Sequence, residues 1–207
     1  MNIVMMTNAF PPLVGGVAES VRRFVDVYRQ HQHNVLVVAP RFKDCKENEP
    51  GVVRIAAIQN FNGSDFSVAL PPPPSLSQEL TEFEPDIIHS HHPFLLGDTA
   101  LRVAAARQLP AVFTYHTMYE DYTHYVPFGA TRLRAFVKEL CIRYANRCAR
   151  VIAPSASVKK LLEQRGVTRP IDVVASGVDA QTFAAGDGGG RVGRRARPPR
   201  SAGSGTG

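Results

Sequence analysis

The sequence predicts an α/β protein built on a single, doubly wound parallel sheet, and three observations carry that prediction. Short apolar runs end in proline or polar turn residues, as in Val35–Ala39 before Pro40 and Val151–Ala153 before Pro154. Segments with apolar residues at helical spacing separate these runs, so strands and helices alternate. The strand runs are apolar throughout rather than alternating, as expected of strands covered on both faces.

In chain order, Asn2–Met6 opens as a buried strand, and Thr7–Gly16 is a loop rich in turn residues. A helix over Val17–Gln30 follows, with Val17, Val21, Phe24, Val25 and Tyr28 on one face. Val35–Ala39 completes a first βαβ unit. The pair Gly15-Gly16 sits at the strand-to-helix junction and admits two readings. One is a tight turn that needs positive φ, the reading two glycines alone favour. The other is a close approach of backbone to a ligand, with the free N–H groups and positive dipole end of the helix offered to an anion. No G-x-G-x-x-G pattern is present, so a dinucleotide cofactor is not indicated.

Val52–Ile58 is a third strand, Pro71–Pro74 a rigid connector, and Ser75–Phe83 a helix. Strand Asp86–His89, helix Leu96–Arg107 and strand Ala111–Tyr115 form a second βαβ unit. Ligands in such sheets sit beyond the carboxyl ends of the strands. His91, His92, His116 and Glu120 fall at those ends. The longest helical pattern, Thr131–Arg147, places Leu133, Phe136, Val137, Leu140, Cys141, Tyr144, Ala145 and Cys148 on an apolar face. Its other residues include Arg132, Arg134, Lys138, Arg143 and Arg147. Ser155 caps a helix over Val158–Gln164 that Gly166 stops, and Ile171–Ala175 is the seventh strand.

The folded domain is expected to span residues 1–183 and a tail residues 184–207. The tail holds eight of the chain's sixteen glycines from Gly186 on and no aliphatic side chain larger than valine, so it is expected to be disordered. It reads as the aberrant end of a cut or frame-shifted gene. Five arginines against Asp187 in that tail supply four of the chain's net six positive charges. The body is then close to neutral, which argues against nucleic-acid binding. Three cysteines make no disulfide framework, and Cys141 and Cys148 read as small core residues in a reducing cytoplasm. No signal peptide and no apolar run long enough to span a membrane appear.

Several segments together resemble the amino-terminal domain of family 4 retaining glycosyltransferases of GT-B fold, nearest the branch that glucosylates diacylglycerol. They are N-x-F-x-P-x-x-G-G (Asn8 to Gly16), H-x-V (His33, Val35), P-D-I-I-H-x-H-H-P (Pro85 to Pro93) and Y-H-T-x-Y-x-x-Y (Tyr115 to Tyr122). Ala153-Pro154-Ser155 and Ser176-Gly177-Val178-Asp179 with Phe183 complete the series. Where the family carries a glycine before H-x-V, this chain has Gln32, a departure that concerns a turn.

The resemblance implies a Rossmann-like, acceptor-side half of a GT-B enzyme, with the donor-binding domain missing and little or no activity alone. It implies no cofactor, only a nucleotide-sugar donor substrate and a lipid or glycan acceptor for the full-length enzyme. His116 is implied beside the reacting sugar, positioning and polarising it. Gly15 and Gly16 are implied near the donor phosphates and acceptor, and Glu120, Asp121 and Tyr122 at the acceptor's hydroxyls. His91 and His92 lie on the neighbouring strand end. Arg132, Arg134, Lys138, Arg143 and Arg147 become candidates for an anionic membrane surface, which would place the protein peripherally on the inner face of the membrane. The plainer alternatives are histidines that satisfy backbone groups, tyrosines that pack the domain, and a solvated basic face. Two other functions compete: a non-catalytic glycan- or lipid-binding fragment, and a metal-dependent hydrolase using His89, His91, His92, His116, Glu120, Asp121 and His124. The second lacks H-E-x-x-H, and His89 is expected to point into the sheet.

Overall fold

A computed structural model describes residues 1–45, 49–59, 67–119 and 130–175. The tail, the expected boundary at residue 183, and Glu120, Asp121, Tyr122 and His124 lie outside the described residues.

Seven parallel strands form one sheet: β1 (Asn2–Met6), β2 (Asn34–Pro40), β3 (Val52–Ile55), β6 (Ile87–Ser90), β7 (Ala111–Thr114), β8 (Arg150–Ala153) and β9 (Ile171–Val173), in the order β3-β2-β1-β6-β7-β8-β9. The run expected as one strand over Val52–Ile58 breaks at Ala56. Its end, β4 (Ala57–Ile58), leaves the sheet to pair antiparallel with β5 (Val68–Ala69).

Helix α1 (Gly16–Gln30) covers one face of the sheet through Val21, Phe24, Val25 and Tyr28, packed on Ile3, Met5, Val35 and Val37. On the other face, α2 (Ser75–Phe83), α3 (Leu96–Ala106), α4 (Ala130–Arg147) and α5 (Ala156–Gln164) pack on Val4, Met6, Ile88, Phe113 and Val151. The chain therefore winds one way from β1 to β3 and the other way from β6 to β9. The two directions meet between β1 and β6, which are paired Met6 to Ser90. A crevice opens at the carboxyl ends of the strands at such a reversal.

Two local signals behave as the sequence predicts. The Ser155 hydroxyl accepts from the Val158 N–H and caps α5, and Gly166 (φ 99°) ends that helix. Gln32, standing where the resemblance places glycine, has φ 62° just past α1. A left-handed residue there is the usual way to end a helix, and glycine takes it at the least steric cost.

The apolar stripe expected along α4 is only half a core stripe. Cys141, Ile142, Tyr144, Ala145 and Cys148 are buried, but Phe136 is 63 % exposed and Leu133, Val137 and Leu140 are half-buried. Helical periodicity shows which face is apolar, not whether a sheet lies beneath it. At about 3.6 residues per turn the basic residues also divide: Arg132, Arg143 and Arg147 share Phe136's side, while Arg134 and Lys138 do not. Cys141 and Cys148 are buried and unbridged, as expected, and burial pushes the Cys148 thiol up to about 12. Among the described residues no helix is long and apolar enough to cross a membrane.

Candidate functional site

Three loops leave the carboxyl ends of neighbouring strands: residues 7–15 after β1, 91–95 after β6 and 115–119 after β7. The first two are joined by Asn8, which is fully buried. Its backbone N–H donates to Nδ1 of His92 (3.1 Å), its side-chain amide donates to the Phe94 carbonyl (3.0 Å), and its side-chain oxygen accepts from the Leu96 N–H (3.3 Å). That last bond occupies one of the free amides at the start of α3. Loops that diverge to opposite faces are thus tied together at the point where winding reverses.

The second and third loops are joined by a histidine pair. Nδ1 of His91 lies 2.9 Å from Nε2 of His116, with the rings stacked at 5.1 Å. His91 is wholly buried, whereas His116 is half-buried. His91's other ring nitrogen, Nε2, is buried without a partner among the described residues. Its backbone is held at both ends: the N–H donates to the Met6 carbonyl, and its own carbonyl accepts from the Tyr119 hydroxyl, each at 3.0 Å.

His89 sits one position deeper on β6, beneath α1, as the expectation that it points into the sheet requires. Its Nε2 is 2.7 Å from the Thr114 hydroxyl, its Nδ1 3.4 Å from the Tyr28 hydroxyl, and Phe24 packs edge-on against its ring. It reinforces the sheet and does not reach a ligand. On the opposite face Tyr144 of α4 places its hydroxyl 2.7 Å from Ser90 Oγ and 2.9 Å from the Gly97 carbonyl, while Ser90 Oγ donates to the His92 carbonyl. Gly97 leaves no room for a side chain: a Cβ there would stand 1.8 Å from the His92 carbonyl oxygen.

This burial sets the charge state of the cluster. Loss of water lowers His89 and His92 to about 3 and His116 to about 4, and drives His91 well below its ordinary value of 6.5. Proximity of the rings to one another adds to the effect for His89, His91 and His92. All four are neutral near pH 7. A neutral His92 that accepts at Nδ1 must carry its proton on Nε2.

The glycine loop differs from the turn reading. Gly15 is extended (φ 172°), and neither Gly15 nor Gly16 lies in the left-handed region that a tight turn would need. A Cβ at either would meet nothing within 4 Å, and the start of α1 receives no side-chain cap. Folding therefore leaves these two glycines uncrowded, and among the described residues no side chain caps the start of α1. The loop's base is pinned by Arg54 of β3, whose side chain is 5 % exposed. Its guanidinium donates to the Pro11 carbonyl (2.6 Å), pairs with Glu49 (2.6 Å) and lies over the Phe10 ring at 5.4 Å.

Of the residues expected at the site, His91, His92 and His116 converge, and Gly15 and Gly16 emerge from the same edge of the sheet. His91 is too deep to touch a substrate. The basic residues of α4 lie elsewhere: Arg132, Arg134 and Lys138 are exposed, Arg143 pairs with Glu139 (2.7 Å), and Arg147 lines a groove with Arg102 and Arg169. Asn8, Ser90, Thr114, Tyr119 and Tyr144 complete the site's frame without having been singled out by their chemistry. For Tyr119 the packing alternative holds, since it is buried against Tyr115, Phe94 and His92. Among the described residues no group of three His, Cys, Asp or Glu side chains could hold a metal ion.

Comparison with known proteins bears on this frame. A family model described as Glycosyltransferase Family 4 matches residues 14–182. An alpha-monoglucosyldiacylglycerol synthase of Streptococcus pneumoniae is 29 % identical over 184 residues, covering 88 % of this chain and 42 % of that protein. A GDP-mannose-dependent alpha-mannosyltransferase of Corynebacterium glutamicum is 31 % identical over 192 residues, covering 88 % and 45 %. The chain thus spans a little under half the length of these curated relatives. Among solved structures, a sucrose-phosphate synthase from Thermosynechococcus elongatus superposes with a TM-score of 0.64 at 14 % identity, over 86 % of this chain and 49 % of that one. The sheet is the Rossmann-like half of a GT-B fold.

Proposed function

The chain belongs to glycosyltransferase family 4, and we propose that it is the acceptor-binding half of a retaining enzyme that moves a hexose from a nucleotide sugar to a lipid or glycan acceptor. The observation that carries this reading is the meeting of three strand-end loops at the winding reversal. Asn8 bonds to His92, and His91 bonds to His116. That arrangement leaves one half-buried imidazole, His116, at the crevice where this class of sheet takes its ligands.

In this reading His116 positions and polarises the reacting sugar through a hydrogen bond, with no covalent bond to protein. Its low pKa keeps it neutral and so unable to compete with the donor's own charge. The uncapped start of α1, with the open space at Gly15 and Gly16, accepts the approach of an anionic group such as a donor phosphate. Glu120, Asp121 and Tyr122 complete the acceptor side. The half of the relatives that this chain does not match would hold the nucleotide sugar, so transfer by the chain alone is slight. Of the alternatives, a non-catalytic glycan- or lipid-binding fragment predicts the same absence of turnover and does not require the acceptor to contact His116.

Attachment to an anionic membrane surface is part of this reading, and α4 supports it. Its first half exposes Phe136 and Arg132 on one side and Arg134 and Lys138 on the other, apolar and basic side chains that suit a lipid headgroup region. Co-sedimentation with vesicles should rise with the fraction of anionic lipid, and binding independent of lipid charge removes this part.

The central test is titration of ¹⁵N-histidine-labelled chain with micellar diacylglycerol and, separately, with nucleotide sugars, alongside a turnover assay. The acceptor should shift the His116 resonances while no more than trace product forms. Robust product from this chain, or an acceptor that leaves His116 unmoved, overturns the reading.

A further inference from the structure

Two imidazole nitrogens 2.9 Å apart, Nδ1 of His91 and Nε2 of His116, require one proton between them. Both rings are neutral, because burial disfavours the charged form of each. Two arrangements remain. If His116 donates from Nε2, the second proton of the pair sits on His91 Nε2, and a buried N–H has no acceptor among the described residues. If His91 donates from Nδ1, its Nε2 is only an unused lone pair. An orphaned buried donor is rarer in native proteins than an under-used acceptor, so the second arrangement is the lower in energy.

We propose that His91 is a positioning residue: its Nδ1–H donates to Nε2 of His116 and holds His116 in the tautomer that carries its own proton on Nδ1. The ring of His91 is well placed to impose this. It is fixed by backbone bonds to Met6 and Tyr119 and wedged between His89, at 4.2 Å, and Phe24, at 5.8 Å. The consequence is chemical. The free nitrogen of His116 is then a donor, suited to an oxygen acceptor such as a sugar hydroxyl or phosphate oxygen. It cannot take a proton from a substrate hydroxyl. That consequence for substrate rests on the function proposed above, whereas the tautomer itself does not.

Two-bond ¹H–¹⁵N correlation spectra of the ¹⁵N-histidine-labelled chain at neutral pH read the tautomers directly. Wild type should show pyrrole-type Nδ1 and pyridine-type Nε2 on both His91 and His116. His91→Phe, which fills the same space without the donor, should let His116 revert to the Nε2–H form that unconstrained histidine favours. His91→Asn, whose amide N–H stands where Nδ1 stood, should keep the wild-type pattern. A wild-type proton on His116 Nε2, a doubly protonated His116, or an unchanged pattern in His91→Phe overturns the proposal. Reversion in His91→Asn as well assigns the effect to repacking and overturns it too. Should His91→Phe fail to fold, wild type and His91→Asn decide. None of these spectra depends on turnover, so an inactive chain bears on the functional reading alone.

Discussion

Asn8 donates its backbone N–H to Nδ1 of His92 across 84 residues of sequence, at 3.1 Å. This bond spans the place where the sheet changes winding direction, with β1 leading to α1 on one face and β6 to α3 on the other. Left alone, the two strand-end loops would separate. The Asn8 side chain adds two further bonds to the same stretch, so one residue ties together the two loops that meet at the winding reversal.

Asn8→Ala should therefore be costly although no catalytic role is assigned to it. It leaves the Leu96 N–H without its partner and takes from the Phe94 carbonyl one of two bonds, the other coming from the Gly97 N–H. A stranded buried polar group costs about 1–3 kcal/mol, so a loss of about 2 kcal/mol in urea unfolding is expected. A variant as stable as wild type would show that water replaces the amide and that the tie is not needed.

The glycines divide by their surroundings. At Gly97 a methyl group meets the rigid His92 carbonyl at 1.8 Å, and the same stretch is bonded to Tyr144 and Ser90. Gly97→Ala should cost about 3 kcal/mol by overpacking. Gly15→Ala and Gly16→Ala meet nothing and should change stability by no more than about 0.5 kcal/mol. Thermal melts of the three variants in parallel decide this, and an unfolded Gly15→Ala would contradict the open space reported for the loop.

Gln32 supplies a gain rather than a loss. Held at φ 62°, it carries the steric cost of a side chain in the left-handed region, where glycine has none. Gln32→Gly should stabilise by about 0.5–1 kcal/mol, the steric relief exceeding the added freedom of the unfolded chain. The turn follows α1 at the amino-terminal edge of the sheet, opposite the loop that carries His116, so the His91 and His116 signals should not change while those of the flanking His31 and His33 do. A lower melting temperature would mean that the side chain makes contacts worth more than the strain.

How much of this was legible in the sequence differs from residue to residue. Strands β1, β2, β6, β7 and β8 announce themselves as apolar runs because both faces are covered, and the histidines stand out because they follow those runs. What a single sequence does not carry is register. His91 and His116 look alike on paper, yet pairing of β6 with β1 and β7 buries the first and leaves the second half-open. Asn8 is a loop asparagine among turn residues until its partners, 84 to 88 residues away, are known. Phe136 shares helical spacing with Leu133 and Leu140 and still lies outside the core, since it falls on the side of α4 opposite the buried Ala145. Ala56 interrupts an apolar run with no breaker residue to mark the place.

Acid should unfold the protein through its neutral histidines. The sign follows from the direction of the shifts: His89, His91 and His92 have folded-state pKa values below their unfolded value of about 6.5. Their contribution is complete above that value and declines as pH falls, because the unfolded chain takes up protons that the folded one refuses. Three fully buried rings each lose about 1.4 kcal/mol per pH unit, together about 4 kcal/mol per unit once pH is below 6. A domain with an ordinary margin of about 5–15 kcal/mol should then unfold between about pH 5 and 3. Near-UV circular dichroism against pH, with the apparent proton count taken from the slope, measures it. An uptake of about three protons by these rings is expected, with a fourth by His116 while pH stays above about 4. A transition below pH 3, or one that takes up a single proton, would mean that the cluster admits water and is already charged in the native state.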